Sequence, residues 1–346
     1  MQKLNKYWII CFALPIYMIY WTIIYLRNLF FDHGIFQINK LPCKVISIGN
    51  ISTGGTGKTP MVIFLAKLLK EQGKRVAILS RGYRRQSKGT VLVTDGFSAP
   101  KDNYKIYGDE PFLISKVLKG VPVVVDENRF RGGKFLINQF QPQIILLDDG
   151  YQHRAIARDL DIVLINSRDR KANYRLIPFG QLREPWKNIS RANLIIVTKT
   201  NLNYPKPFLK KKLKEVNINF FISKTESIFS KLGGGTINKN INFKNKKVII
   251  FSAIADQQSF VEEVEKKGAI VFRKINFRDH YNYSQKDIDQ IDIIAQEHGI
   301  EFLITTEKDW VKIETFSIKH LVIVFSSKIF FPDKTQINKA IKNIIS

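Results

Sequence analysis

One run, I-G-N-I-S-T-G-G-T-G-K-T-P at residues 48–60, restricts this chain to very few folds. It follows the apolar residues Val45, Ile46 and Ile48 and precedes an apolar stretch with helical spacing. A strand, a glycine turn and a helix start form the layout of a nucleotide phosphate site. Backbone N–H groups of Gly54, Gly55, Thr56 and Gly57, after Ser52 and Thr53, would line a concave nest for phosphate oxygens. A helix starting near Lys58 adds the positive end of its dipole, about half a charge. Lys58 is long enough to reach the β- and γ-phosphates, and Thr59 offers a hydroxyl to Mg²⁺. The usual pattern has a glycine where Ser52 stands. The competing reading is a glycine-rich turn that binds no ligand.

The rest of the chain alternates short apolar runs with helical stretches. Residues 60–71 read as a buried helix closed by Gly73. Strands are expected at 76–80, 122–125, 143–149, 160–165 and 194–197. Continuous apolar strands of this kind form a parallel sheet covered on both faces. Near residue 220 the pattern breaks, and 231–235, with three glycines, reads as a linker. A second set follows, with strands at 247–252, 269–274 and 301–305 and helices at 258–267 and 284–298. A last strand at 320–325 returns toward the linker. The expected fold class is α/β: a parallel-sheet unit at 41–225, a linker at 226–240 and a smaller α/β unit at 241–346.

Residues 1–40 stand apart. Positions 8–26 carry no charge over 19 residues. As a helix they would span about 28 Å, close to the ~30 Å core of a bilayer. Lys3 and Lys6 flank one end and Arg27 the other, and Trp8 and Trp21 suit the interfacial belt. Pro15 predicts a kink. A signal peptide would need a small-residue cleavage site, which is lacking, and a core helix would need enclosure all round. A membrane-associated helix fits best, either spanning or lying in one leaflet. Basic residues at both ends do not orient it. A nucleotide-dependent body belongs on the cytoplasmic side.

The chain has 346 residues, 55 Lys and Arg against 30 Asp and Glu, and a net charge of +25. Such an excess favours anionic partners: nucleic acid, acidic headgroups or phosphorylated substrates. A Lys-rich, Ile-rich composition that tolerates basic surfaces gives the same count. Cys11 and Cys43 are the two cysteines, and neither a disulfide framework nor a zinc pattern is present.

Several polar groups sit where chemistry is done. Residues 144–149, I-I-L-L-D-D, deliver Asp148 and Asp149 to a strand end, where open α/β sheets keep ligands and where carboxylates hold Mg²⁺. Either acid would also cap the following turn. Y-G-D-E-P at 107–111 opens a helix, so Asp109 reads as an ordinary N-cap or as a carboxylate that accepts a proton from a hydroxyl. Asp279 and His280 follow a strand of the second unit, and His280 would form an acid–base pair with Asp109 if the two met across the cleft. Arg81, Tyr83, Arg84 and Arg85 form a basic loop suited to an anionic headgroup or phosphate, or to plain solvation. P-F-G-Q-L-R-E-P at 178–185 offers Arg183 for phosphate and Glu184 for a metal.

Taken together, G-N-I-S-T-G-G-T-G-K-T-P, S-R-G-Y-R-R at 80–85, G-D-E-P at 108–111, L-L-D-D-G-Y-Q-H at 146–153, P-F-G-Q-L-R-E-P and F-R-D-H-Y-N-Y at 277–283 resemble the tetraacyldisaccharide 4′-kinase (lipid A 4′-kinase) family. Their order covers residues 45–285, and the family's own loop has serine at the place of Ser52. The resemblance implies a P-loop kinase domain, a smaller α/β domain on a two-stranded linker and an N-terminal membrane helix. It implies transfer of the ATP γ-phosphate to the 4′-hydroxyl of a tetraacyl glucosamine disaccharide 1-phosphate, a step of lipopolysaccharide synthesis at the cytoplasmic face of the bacterial inner membrane. By the same resemblance Asp109 is the base, paired with His280. Arg278 occupies a place where the family often has proline.

In the expected mechanism Lys58 and the loop from Ser52 to Thr59 hold ATP. Thr59, Asp148, Asp149 and Glu184 are the candidates for the Mg²⁺ shell, and Arg183 offsets charge on the transferred group. Arg81, Tyr83 and Arg84 meet the lipid disaccharide. Basic residues near an anionic lipid surface add about 1 kcal/mol each. A membrane-bound GTPase or ATPase switch is the rival, since T-K-T-N at 198–201 faintly resembles a guanine-reading sequence. No nucleic-acid module appears, so nucleic acid is not an expected partner.

Overall fold

The computed structural model describes residues 2–201, 205–232 and 244–345. The chain opens with α1 (Gln2–Asp32), β1 (Lys44–Asn50), α2 (Lys58–Glu71), β2 (Val76–Ser80), β3 (Val91–Thr94), α3 (Tyr104–Tyr107), α4 (Asp109–Val117) and β4 (Val123–Val125). It continues with α5 (Arg129–Phe140), β5 (Ile144–Asp148), β6 (Leu160–Asn166), β7 (Leu194–Thr198), α6 (Pro207–Lys214) and β8 (Phe220–Ile222). These strands form one sheet of order β3-β4-β2-β5-β1-β6-β7-β8. All its pairings are parallel except β3 with β4.

Every residue of β2, β5, β6 and β7 is buried, as continuous apolar strands between helical layers must be. On one face Ile46, Ile48, Ile78 and Leu146 pack with Met61, Val62 and Leu65 of α2. On the other, Ala77, Leu79, Ile145 and Leu147 pack with Leu136 of α5. The sheet's carboxyl edge gathers the ends of β1, β2 and β5, which is where the phosphate-loop pattern and the two aspartates fall.

The second unit has β9 (Lys224–Leu232), β10 (Lys247–Ser252), α7 (Gln257–Lys266), β11 (Ile270–Asn276), α8 (Gln285–Glu297), β12 (Phe302–Thr306), α9 (Glu307–Ile313), β13 (Leu321–Phe330) and α10 (Lys334–Ile345). Its sheet order is β11-β10-β12-β13-β9, parallel but for β13 with β9. The 226–240 segment expected as a linker is thus partly strand: residues 226–232 pair with β13, while 233–240 lie outside the described residues. β9 enters the second unit and β13 leaves it. Beyond β13, Phe331, Ile337 and Ile341 join the core of the first unit, with the Phe331 ring 5.1 Å from that of Phe64.

Helix α1 is longer than the uncharged stretch, 31 residues rather than 19, and runs past Arg27 to Asp32. Its inner side is docked. Tyr20 Oη donates to the Arg183 carbonyl at 2.7 Å, and Tyr17 meets the Phe179 ring at 5.4 Å. Asn28 Nδ2 donates to Glu184 Oε2 at 3.0 Å, Arg27 pairs with Glu184 Oε1 at 3.1 Å, and Arg154 pairs with Asp32 at 2.7 Å. Its outer side leaves Leu14, Ile16, Met18, Ile19, Trp21, Ile23, Tyr25 and Leu26 exposed. The stretch Ala13–Asp32 is long and apolar enough to cross a membrane. An exposed apolar face this large marks a contact surface.

Glu184 is the anchor of that docking. It is fully buried and also accepts from Asn188 and Arg191 at 3.0 and 2.9 Å. Burial opposes its charge, but Arg191 and Arg27 outweigh burial and hold it below the usual carboxylate range. Its stabilisation is therefore present above the unfolded value near 4.3 and lost as pH falls through the lower folded value. Glu184→Gln leaves two guanidinium groups poorly matched and is expected to cost about 3 kcal/mol. Urea unfolding at pH 7 checks this, with limited proteolysis of α1 as a local readout.

Candidate active site

The loop between β1 and α2 is pinned from behind. Ser52 bridges Leu182, Thr53 N donates to the Gln181 carbonyl at 2.7 Å, and Arg183 N donates to the Ile51 carbonyl at 2.8 Å. Thr198 Oγ1 donates to the Thr56 carbonyl at 2.9 Å. Gly57 caps α2 with φ 87, a conformation glycine adopts without strain. Residues 53–60 line a cleft of about 980 Å³. Ser52 does not: it is buried at the back of the loop, so its part is to fix the turn rather than to touch a ligand.

Lys58 Nζ lies 3.7 Å from Asp149 Oδ1, and Arg183 Nη1 lies 3.1 Å from both oxygens of the same carboxylate. Burial works against the Asp149 charge, but Lys58 and Arg183 outweigh it and lower its pKa. Asp149 has φ 50, a left-handed conformation that stores strain in a non-glycine residue. Asp148, the last residue of β5, accepts from Ser80 Oγ at 2.9 Å through Oδ2, and its buried Oδ1 has no hydrogen-bond partner. Burial first, then Glu110 and Asp149, push its carboxyl up to about 7.

An unpartnered buried carboxylate oxygen next to a second acid, in a cleft that Thr59 also lines, fits a divalent cation. Among the described residues no three His, Cys, Asp or Glu side chains form a cage. That matches Mg²⁺, which takes one or two carboxylates and fills its octahedron with water and phosphate oxygens. Glu184 is not part of this set. Its carboxylate is engaged with Arg27, Arg191, Asn28 and Asn188, so the expectation of a fourth metal ligand is corrected.

Asp109 and His280 meet across the two units. His280 Nδ1 is 2.8 and 3.1 Å from the two Asp109 oxygens. Two glycines let the 80–85 loop pack against the start of α4 beside this pair. The Gly82 and Gly108 backbones pack together, with a Gly108 Cβ falling 3.1 Å from the Gly82 carbonyl carbon, and both have positive φ. Gly108, not Asp109, is the N-cap of α4, so the capping reading of Asp109 is replaced by the ion pair. His280 sits at φ 62, and its ring meets Tyr83 edge-on at 5.2 Å. Arg84 Nη1 donates to the Asp279 carbonyl at 3.0 Å. Arg81, Tyr83 and Arg84 all line the cleft, and Arg278 does not keep the loop from reaching it.

The sequence did not single out the lysines of α9. Lys312, with 1% side-chain exposure, lies 3.2 Å from Asp109 Oδ2. Lys308 lies 3.8 Å from the same oxygen and 3.3 Å from Glu110. Burial would raise the Asp109 carboxyl, but the His280 hydrogen bond and the two lysines overcome it and hold it far below the usual range. Asp109 is 5% exposed and does not itself line the cleft, while His280, Glu110 and Lys308 do. The i, i+4 spacing of the lysines behind a strand was visible in sequence; their partners about two hundred residues away were not.

Buried Arg129 was also missed. Burial draws its guanidinium down to about 10 against the pull of Asp148, so it stays cationic at neutral pH. Beside it His153 is driven down to about 4 by burial, then by Arg129, Arg158 and Arg81, so it is neutral. At another edge of the cleft Lys199 pairs with Asp256 at 2.5 Å and Arg168 with Glu262 at 2.6 Å, joining the units a second time.

The chain matches the family model described as Tetraacyldisaccharide-1-P 4′-kinase over residues 9–346. It is 39% identical over 303 residues to the tetraacyldisaccharide 4′-kinase of Aquifex aeolicus, covering 88% of this chain and 90% of that one. It is 38% identical to the tetraacyldisaccharide 4′-kinase of Chlorobium limicola, covering 86% and 85%. Among solved structures it resembles LpxK from Aquifex aeolicus in complex with ATP, with a TM-score of 0.77, 35% identity and coverage of 96% and 98%.

Proposed function

The chain belongs to the tetraacyldisaccharide 4′-kinase family, and from that membership we propose how its own residues carry an ATP phosphoryl group to the 4′-hydroxyl of a tetraacyl disaccharide 1-phosphate. The observation that carries the reading is a shared cleft. A glycine-lined cradle with Lys58, the Asp148 and Asp149 carboxylates, His280 on the surface of the Asp109 pair and the inner face of apolar α1 (Tyr20, Ile24) bound one space. A phosphate donor, a sugar hydroxyl and acyl chains each find a matching wall.

Lys58 and the amides of the loop receive the triphosphate. As they do, Lys58 and Arg183 exchange Asp149 for phosphate oxygens, which places two cations where negative charge builds up. Thr59, Asp148 and Asp149 would hold the metal. A magnesium ion held there would supply positive charge that offsets the charge developing on the leaving group. His280 fixes the Asp109 carboxylate, which takes the acceptor proton late in a loose transition state. Arg81, Tyr83 and Arg84 hold the sugar head. The P-loop unit carries the chemistry, and the unit built on β9 to β13 brings His280 to it.

The apolar helix and the pathway of the family associate the protein with membrane. The body lies on the cytoplasmic side, where ATP is available, with the basic surface against anionic headgroups. A nucleotide switch is not favoured, because the matched family consists of phosphotransferases. The direct test is transfer of γ-labelled phosphate in detergent to a tetraacyl disaccharide 1-phosphate. Label in the lipid from ATP, absent when the acceptor lacks its 4′-hydroxyl, is the expected result. Nucleotide hydrolysis with no labelled lipid would sink the reading.

A further inference from the structure

Lys308 is not accounted for by holding the units together. The α4–α9 contact already has a tight bridge, Lys116 to Glu314 at 2.7 Å, and a sealed one, Lys312 to Asp109 at 3.2 Å. Lys308 instead makes four loose contacts: Glu110 at 3.3 Å, His280 Nε2 at 3.4 Å, Asp279 at 3.6 Å and Asp109 at 3.8 Å. All are longer than the 2.7–2.9 Å of a committed charge-assisted bond. Unlike Lys312 it opens on the cleft, with 18% side-chain exposure. Glu110, its nearest partner, lines the same cleft as Asp148 and raises that carboxyl. Lys308 thus reaches the buried base from the same cleft that the phosphate-handling carboxylates line, a cation shared among several partners rather than locked to one.

We propose that Lys308 is a second phosphate-binding lysine, carried by the smaller unit, which contacts the transferred phosphoryl group and thereby releases Asp109 to take the acceptor proton. The inference rests on the kinase reading above and adds a residue to it. In the transfer the bond from the acceptor oxygen to phosphorus forms as the bond from phosphorus to the β-phosphate oxygen breaks. The hydroxyl proton passes to Asp109 and ADP leaves. Lys308 takes no proton; it moves its charge from the Asp109 side to the phosphoryl oxygens. Asp109 is held well below the usual carboxylate range while the lysines face it, so withdrawal of one raises its basicity when the donor is in place.

The test compares native protein with Lys308→Ala, Lys308→Met and Lys308→Cys in the labelled-phosphate assay. All three are expected to lose about 10²–10³ in kcat, with KM for ATP within about threefold, because Lys58 keeps ground-state binding. Treating Lys308→Cys with 2-bromoethylamine restores an amine at nearly the native reach and is expected to recover at least tenfold. Native protein treated in parallel controls for the other thiols. Lys308→Met keeps the apolar stem and the fold if Lys308→Ala unfolds, as thermal melting will tell. A kcat within threefold of native in Lys308→Met, or no recovery on aminoethylation of a folded Lys308→Cys, overturns the proposal. Native protein that transfers no phosphate would instead overturn the kinase reading.

Discussion

Lys58→Ala is expected to lower kcat/KM for ATP by about 10³-fold, with weakened nucleotide binding. Lys58 is the first residue of α2, so its amide, the helix dipole and its ammonium converge on the same cradle. No neighbour replaces it. Arg183 is already committed to both oxygens of Asp149, and removing Lys58 leaves that carboxylate with a stronger hold on the arginine. The variant thus loses one cation and ties up another. Steady-state transfer and equilibrium ATP binding measure the two effects, and a fully active Lys58→Ala would mean that the cradle does not hold the donor. Stability should change little, since the Lys58–Asp149 contact is long at 3.7 Å.

Asp109→Asn is expected to cut kcat by about 10²–10⁴ with KM for ATP nearly unchanged. Its amide keeps the shape but takes no proton. His280→Ala in the same background should add little, because residues that act as a unit are not additive. The charge environment sets the pH dependence. Asp109 is lowered, so it stays ionised through the ordinary carboxylate range and contributes no acid limb there. Its contribution to stability is present above its unfolded value near 3.9 and is lost only as pH falls through the lower folded value. Lys312→Met removes a cation that counters burial, so burial then raises the Asp109 carboxyl and an acid limb should appear and move upward. A kcat profile for Lys312→Met that superimposes on the native one would count against Asp109 as the proton acceptor. At pH 7, Asp109→Asn also leaves buried Lys312 without its carboxylate, a cost of about 3 kcal/mol, so melting must be recorded beside turnover.

The parts of this site that sequence revealed are those in which local chain geometry sets the chemistry. The glycine loop, the strand-end acids Asp148 and Asp149 and the 80–85 loop are short segments whose spacing alone carries the meaning. Strands β2 and β10 were legible to the residue because each is a buried apolar run with polar ends. Strands β3 and β8 were not, being three or four residues long and set by their neighbours. Glu184 misled because a carboxylate beside a phosphate-seeking arginine looks like a ligand. Its guanidinium partners Arg27 and Arg191 come from a distant helix and a later turn. Lys308 and Lys312 were silent for the same reason. They acquire meaning only where α9 packs on α4, and no pattern within T-T-E-K-D-W-V-K names Asp109 as their partner.

The path of the chain has a consequence for biosynthesis. The polypeptide leaves the first sheet along β9 and comes back along β13, and its last helix seals the seam above α2 through Ile337 and Ile341. Both isoleucines follow the whole second unit in the chain, so the first core cannot close until that unit has been threaded through. Removing helix α10 should therefore uncover an apolar groove on the first core, a target for chaperones and proteases with every catalytic residue still in place.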